Sequence, residues 1–164
     1  ETDNIEAMNN LIEWLPKNIP DDDETTIVHG DYRLDNMILK NNEVIGILDW
    51  ELSTLGHPIA DFSYHCLSWR TQETFWDKAK LKELGIPTEK EYMEMYCENS
   101  GKDLSKNWEF YMAFNMFKIA GILQGILGRV RDGTAASRHA EERGNMVFPL
   151  SEAAWSTIEE NFLK

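Results

Sequence analysis

Asp31, Asn36 and Asp49 are residues whose types and spacing suit one piece of chemistry. The first two belong to Val28-His29-Gly30-Asp31-Tyr32-Arg33-Leu34-Asp35-Asn36, and the third to Ile47-Leu48-Asp49-Trp50-Glu51. An Asn carbonyl and an Asp carboxylate are hard oxygen ligands suited to Mg²⁺, the ion that bridges nucleotide phosphates. A second Asp, kept off the metal, suits the base that positions or deprotonates an acceptor hydroxyl. These are the parts that phosphoryl transfer needs.

The elements around them bring the three together. Residues 36–40 and 43–48 are apolar runs separated by Asn41-Asn42. Asn tolerates left-handed dihedrals, so the pattern predicts a hairpin with a two-residue turn. Leu39 then faces Val44, and Asn36 faces Ile47. Asp49 falls just past the open end of the hairpin, beside Asn36, and Asp31 can loop back over that end. Residues 25–28 are β-branched and read as a short buried strand leading into the loop, which gives a three-strand β patch.

With this arithmetic in place, the stretch resembles a known group. His29-Gly30-Asp31 with Asn36, followed by Asp49-Trp50-Glu51, is similar to the catalytic segment of the aminoglycoside phosphotransferase and choline-kinase-like family, relatives of the protein kinases. The resemblance implies that Asp31 is the catalytic base and that Asn36 and Asp49 are the magnesium ligands. It further implies Mg²⁺ and ATP, the latter as phosphoryl donor. Gly56-His57-Pro58-Ile59-Ala60-Asp61 also resembles the group, in which an Asp at this place anchors the catalytic loop. Arg33-Leu34-Asp35 and the run from Asp49 to Gly56 resemble the kinase-like domain that precedes an acyl-CoA dehydrogenase module in some eukaryotic fusion proteins. The implied fold is α+β and mostly helical, the C-terminal lobe of a protein-kinase-like fold with a small β hairpin carrying the catalytic loop.

The neighbouring residues divide between structural and functional roles. His29 suits a ring bonding the loop backbone better than a general base. Arg33 and Asp35 read as a surface ion pair. Glu51 is balanced between a metal-side role and simple solvation. Asp61 sits near a helix start, where N-capping competes with loop anchoring as its role, unless one side chain does both. His57, His65 and His139 show no metal spacing, and residues 21–24, all acidic, read as a solvated turn.

Further along, Ile5, Met8, Leu11, Ile12 and Leu15 recur at helical spacing, so the chain opens on an amphipathic helix that Pro16 and Pro20 end. Helices are predicted over 60–69, 88–99, 104–131 and 149–163, with 70–87 left ambiguous. Asn115, Lys118 and Gln124 interrupt the most apolar run, which argues for a core helix over a membrane span. No signal sequence is read at the opening Glu1-Thr2-Asp3-Asn4.

The 164 residues read as a single domain, with 16 Lys and Arg against 29 Asp and Glu and a net charge of −13. Such a surface repels nucleic-acid backbones and anionic lipid. Two cysteines, Cys66 and Cys97, are too few for a disulfide scaffold and read as reduced buried thiols of an intracellular protein. The fusion resemblance would put the protein in mitochondria or peroxisomes.

Nothing before Asp31 supplies a loop over nucleotide phosphates or a strand Lys, so the chain reads as one lobe whose N-terminal partner lobe is missing and whose isolated activity is lost. Ile27, Ile38, Val44 and Ile47 are the apolar residues such a loss would expose, and self-association would cover them. The leading function is an ATP- and Mg-dependent phosphotransferase lobe acting on an alcohol of a small molecule. A cationic aminoglycoside would suit the acidic balance. The fusion resemblance implies a hydroxyacyl-CoA, such as that of a 4-hydroxy acid. The rival is a non-catalytic pseudokinase or docking module. A metal-dependent hydrolase built on His29 and Asp31 would need further His ligands.

Overall fold

A computed structural model describes residues 3–22, 24–71, 78–104 and 106–164. Glu1, Thr2, Asp23 of the acidic turn and 72–77 of the ambiguous stretch lie outside the described residues. The elements are α1 (Glu6–Trp14), β1 (Thr26–Val28), β2 (Met37–Lys40), β3 (Glu43–Ile47), β4 (Thr54–Gly56), α2 (Pro58–Thr71), α3 (Lys78–Glu83), α4 (Glu89–Ser100), α5 (Trp108–Arg131), α6 (Ala140–Asn145) and α7 (Val147–Phe162). They fall into two compact units, Asp22–Trp108 and Glu1–Asp21 with Glu109–Lys164.

The second of these units is all helix. Ile5, Ala7, Met8, Leu11 and Leu15 bury the inner side of α1, while Ile12 stays exposed. Pro16 closes the helix through a single 3₁₀ turn, Leu15–Lys17. α1 packs on α7, with the Trp14 ring 5.1 Å from Phe162 and 6.2 Å from Phe110 of α5. Helix α5 is long and apolar enough to cross a membrane by length and composition alone. Met112, Ala113, Asn115, Met116 and Ala120 are nevertheless buried in the fold, as a core helix requires. α6 comes so close to α5 that a Cβ on Gly144 would lie 3.0 Å from the Leu127 backbone. Helix α5 starts at Trp108 rather than at 104, and α7 at Val147 rather than 149. Pro149 is tolerated there because the first turn of a helix needs no N–H from it.

The unit Asp22–Trp108 carries the strands. The hairpin turn is as predicted: Asn41 and Asn42 have φ of 52° and 63°, the left-handed pair of a type I′ turn. The register is not. Lys40 faces Glu43 and Leu39 faces Val44, but Ile38 faces Gly46 and Met37 faces Ile47. A β-bulge leaves Ile45 as the extra residue and shifts the remaining ladder by one. Asn36 therefore lies beside Leu48, whose N–H donates to the Asn36 carbonyl at 2.8 Å. The bulge moves Asn36 one residue nearer to Asp49 than straight pairing would.

The three-strand patch is also corrected. β1 pairs antiparallel with β4, a strand the sequence reading lacked, and β2 with β3, making two separate two-stranded sheets. Ile27 faces Leu55 across the first sheet. Both side chains are about 70% exposed, at 69% and 70%. Ile38 and Val44 are exposed as well, while Ile47 is half-buried.

Helix α2 begins with Pro58 at its first position, where a missing N–H costs nothing. α4 is closed by a capping box between Thr88 and Glu91 and ends at Gly101, φ 70°. Phe62 of α2 stacks on Tyr96 of α4 at 3.9 Å. The Arg70 guanidinium and the Trp108 indole both donate to the Glu89 carboxylate. Cys66 is buried, and burial pushes its thiol up; Cys97, expected buried, is partly exposed on α4, a helix with no fully buried residue.

Candidate active site

The loop between β1 and the 3₁₀ turn Leu34–Asn36 is held at nearly every residue. The Asp61 carboxylate, in the first turn of α2, accepts the backbone N–H of His29 and, at 2.7 Å, that of Gly30. Gly30 has φ +82°, and a Cβ there would lie 2.5 Å from the Leu52 carbonyl oxygen. Only glycine meets both conditions without strain.

His29 is 3% exposed. Its Nε2 donates to the Leu48 carbonyl at 2.7 Å, and its Nδ1 accepts the Asp31 N–H at 3.3 Å. These two bonds define the neutral Nε2–H tautomer. The Trp50 ring lies 4.7 Å from the imidazole. His29 thus ties the loop to the strand end that carries Asp49.

Asp31 projects from this scaffold with its side chain 16% exposed. Its Oδ1 accepts the Tyr64 hydroxyl at 2.6 Å. Its Oδ2 accepts Asn36 Nδ2 at 3.0 Å and lies 3.2 Å from Arg33 Nε. Arg33 also reaches Asp35 at 3.8 Å, so the surface pair extends to Asp31. Asn36 Nδ2 donates in addition to the Asp31 carbonyl at 2.9 Å. Those two bonds fix the amide, with Oδ1 as the oxygen on its other side.

Asp49 follows Leu48 directly and has φ 63° and ψ 54°. The left-handed region is uncommon for a side chain other than glycine, although Asn and Asp tolerate it better than most. The bend turns the chain out of β3 into the 3₁₀ turn Trp50–Leu52. Asp49 and Glu51 are both exposed. The structure therefore joins Asp31 to Asn36 by hydrogen bonds, Asp61 to the loop through its backbone, and Asp49 to the group through Leu48. Glu51 makes no such connection to the loop.

The donor set fits a hard cation. Asn36 Oδ1 and the Asp49 carboxylate are oxygen donors of the type such an ion takes, on two chain segments tied to each other at Leu48. Among the described residues no group of three or more His, Cys, Asp and Glu is placed to hold a metal ion.

Tyr64 is the residue that the sequence reading missed. It lies three positions after Asp61, close to it on the helix surface. Nothing in its spacing from the loop motif singles it out in the sequence. Burial first, and then the Asp31 carboxylate, push its phenol up to about 12. Elsewhere around the loop, His57 pairs with Asp22 at 3.2 Å and Lys102 with Glu24, while Asp21, Asp22 and Glu24 stay exposed, as a solvated turn requires.

Comparison with known proteins places this geometry. The sequence profile of the phosphotransferase enzyme family (APH) matches residues 1–96, and the chain belongs to that family. A solved structure from Ralstonia eutropha, provisionally described as an aminoglycoside phosphotransferase, superposes with a TM-score of 0.88 at 47% identity. The match covers 98% of this chain and 51% of that one. The fold is kinase-like. Acyl-CoA dehydrogenase family member 10 of Mus musculus is 46% identical over 162 residues, covering 94% of this chain and 15% of the relative. Acyl-CoA dehydrogenase family member 11 of Homo sapiens is 39% identical over 165 residues, covering 96% and 21%. The chain thus spans only a small part of the curated relatives it matches.

Proposed function

We propose that this chain is the C-terminal lobe of a phosphotransferase that uses ATP and Mg²⁺ and passes the terminal phosphoryl group to an alcohol of a small molecule. The observation that carries the reading is the Asp31 carboxylate, fixed at both oxygens on a loop that Asp61 anchors and in direct contact with Asn36. Asp31 accepts the proton of the acceptor hydroxyl as its oxygen bonds to phosphorus and the bond to the leaving nucleoside diphosphate breaks. Asn36 and Asp49 would hold the metal, which supplies charge neutralisation on the phosphates when bound. Arg33 stands beside the base as a cation near the developing charge. His29 and Asp61 act on the loop backbone and keep Asp31 in place. Glu51 stays outside this assignment.

The nucleotide side belongs to a further lobe in this proposal. Phosphoryl transfer depends on positioning and charge stabilisation, so this lobe alone should turn over no ATP. The exposed pairs Ile27–Leu55 and Leu39–Val44 are apolar surface that a second lobe would cover. For the acceptor we favour a hydroxyacyl-CoA. The names of the mouse and human relatives support that choice, because the dehydrogenase would act on the same acyl carriers.

The test incubates the complete two-lobed protein with ATP and Mg²⁺ and a panel of hydroxyacyl-CoA and aminoglycoside acceptors, followed by ³¹P NMR. The reading predicts a new phosphomonoester on a hydroxyacyl-CoA, abolished by chelation. Nucleotide binding with no ester on any hydroxyl would favour the non-catalytic reading instead.

A further inference from the structure

One turn of α2 grips three successive loop residues. Asp61 takes the N–H groups of His29 and Gly30, and Tyr64 donates its hydroxyl to the carboxylate of Asp31. At 2.6 Å the Tyr64 bond is in the short range of a hydroxyl donating to a charged oxygen. A carboxylate on a free side chain turns about its last bond. Here donors sit on both oxygens, Tyr64 on Oδ1 against Asn36 and Arg33 on Oδ2, so the plane of the group is set.

The phenol is half-buried, and burial together with the neighbouring carboxylate holds its proton up to about 12. It is a permanent donor, and so cannot replace Asp31 as the base. The contribution of the hydroxyl can be separated from that of the ring, because phenylalanine keeps the packing and removes one oxygen.

We propose that Tyr64 is a positioning residue for Asp31: its hydroxyl fixes the carboxylate so that a lone pair of Oδ1 meets the acceptor hydroxyl in one orientation. The inference rests on the phosphotransferase reading above. Tyr64 keeps its own proton throughout, and the acceptor proton goes to Asp31. The effect belongs to the transition state, so it falls on kcat rather than on substrate affinity.

The experiment compares the complete protein with its Tyr64→Phe and Asp31→Ala variants. Tyr64→Phe should lower kcat by about 10–100-fold, the loss of one hydrogen bond to a charged group, with KM for nucleotide and acceptor unchanged. The Raman doublet of the tyrosine ring reports whether a phenol donates. The wild-type minus Asp31→Ala difference spectrum should show a strong donor lost, a reading that needs neither turnover nor a folded Tyr64→Phe. A kcat within twofold of wild type, a loss carried by KM, or a doublet indifferent to Asp31 overturns the inference while leaving the phosphotransferase reading intact. A wild-type protein inactive on every hydroxyl overturns both, and the wild-type rate alone tells the two failures apart.

Discussion

The imidazole of His29 reaches across the loop to the Leu48 carbonyl at 2.7 Å, and Leu48 in turn donates its N–H to Asn36. The residue before Asp49 is thereby clamped at both backbone groups, and the two motif segments become one unit. His29→Phe keeps an aromatic ring of similar size and removes both ring bonds. It leaves the Leu48 carbonyl and the Asp31 N–H short of their partner in a part-buried place. A loss of about 1–3 kcal/mol is expected, read as a lower urea midpoint at unchanged slope. A midpoint equal to wild type would remove the clamp from the account.

Asp61→Asn tests the anchor. The amide has one acceptor oxygen where the carboxylate has two, so its NH₂ meets a backbone N–H of residue 29 or 30. Destabilisation of about 1–3 kcal/mol is expected from the unsatisfied donor. The loop amides of His29 and Gly30 should also exchange with deuterium faster than in wild type. Unchanged exchange would show that something else holds the loop.

Gly30→Ala should be worse tolerated than any other glycine-to-alanine change in the hairpin region. The residue has φ +82°, and the new methyl would lie 2.5 Å from the Leu52 oxygen, so the 3₁₀ turn must move. Strain of about 1–3 kcal/mol is the expected minimum. Gly46→Ala is the control, since its Cβ would meet only Ile38 at 3.5 Å. Equal melting temperatures for the two variants would contradict this.

His65 gives a pH dependence whose sign is fixed. Burial lowers its value below the ordinary 6.5, with a smaller opposing effect from a bond to the Tyr32 backbone. Its ring packs among Tyr32, Trp69 and Tyr92. The unfolded chain therefore takes up the proton first as the pH falls. The contribution is fully present above 6.5 and is lost on acidification below it, at up to about 1.4 kcal/mol per pH unit. His65→Gln should flatten stability between pH 6.5 and 5. An identical slope in the two proteins would assign the acid sensitivity to other groups.

The sequence made the Asn-Asn turn, the loop and its neighbours legible, because each has a local cause: left-handed tolerance, a short spacing, an apolar run. The bulge at Ile45 had no such mark, since an extra apolar residue in an apolar strand breaks no pattern. β4 has three residues, too few to show a period. Tyr64 was hidden because an aromatic residue in a half-buried helix carries no mark of its partner, although its place three residues after Asp61 was a usable signal. α3 and α6 have six residues each, below the length at which helical spacing can be read. The strand ends, by contrast, were placed well enough to bring Asn36 and Asp49 to one edge.

In the proposed reaction Asp31 accepts the proton of an alcohol during phosphoryl transfer. The most direct measurement is single-turnover transfer from ATP to the acceptor by the complete protein, wild type against Asp31→Asn. The substitution keeps the size of the side chain and removes the proton acceptor, so the account predicts a fall of about 10²–10⁴-fold in rate with nucleotide affinity and melting temperature retained. A rate within a few-fold of wild type would contradict it.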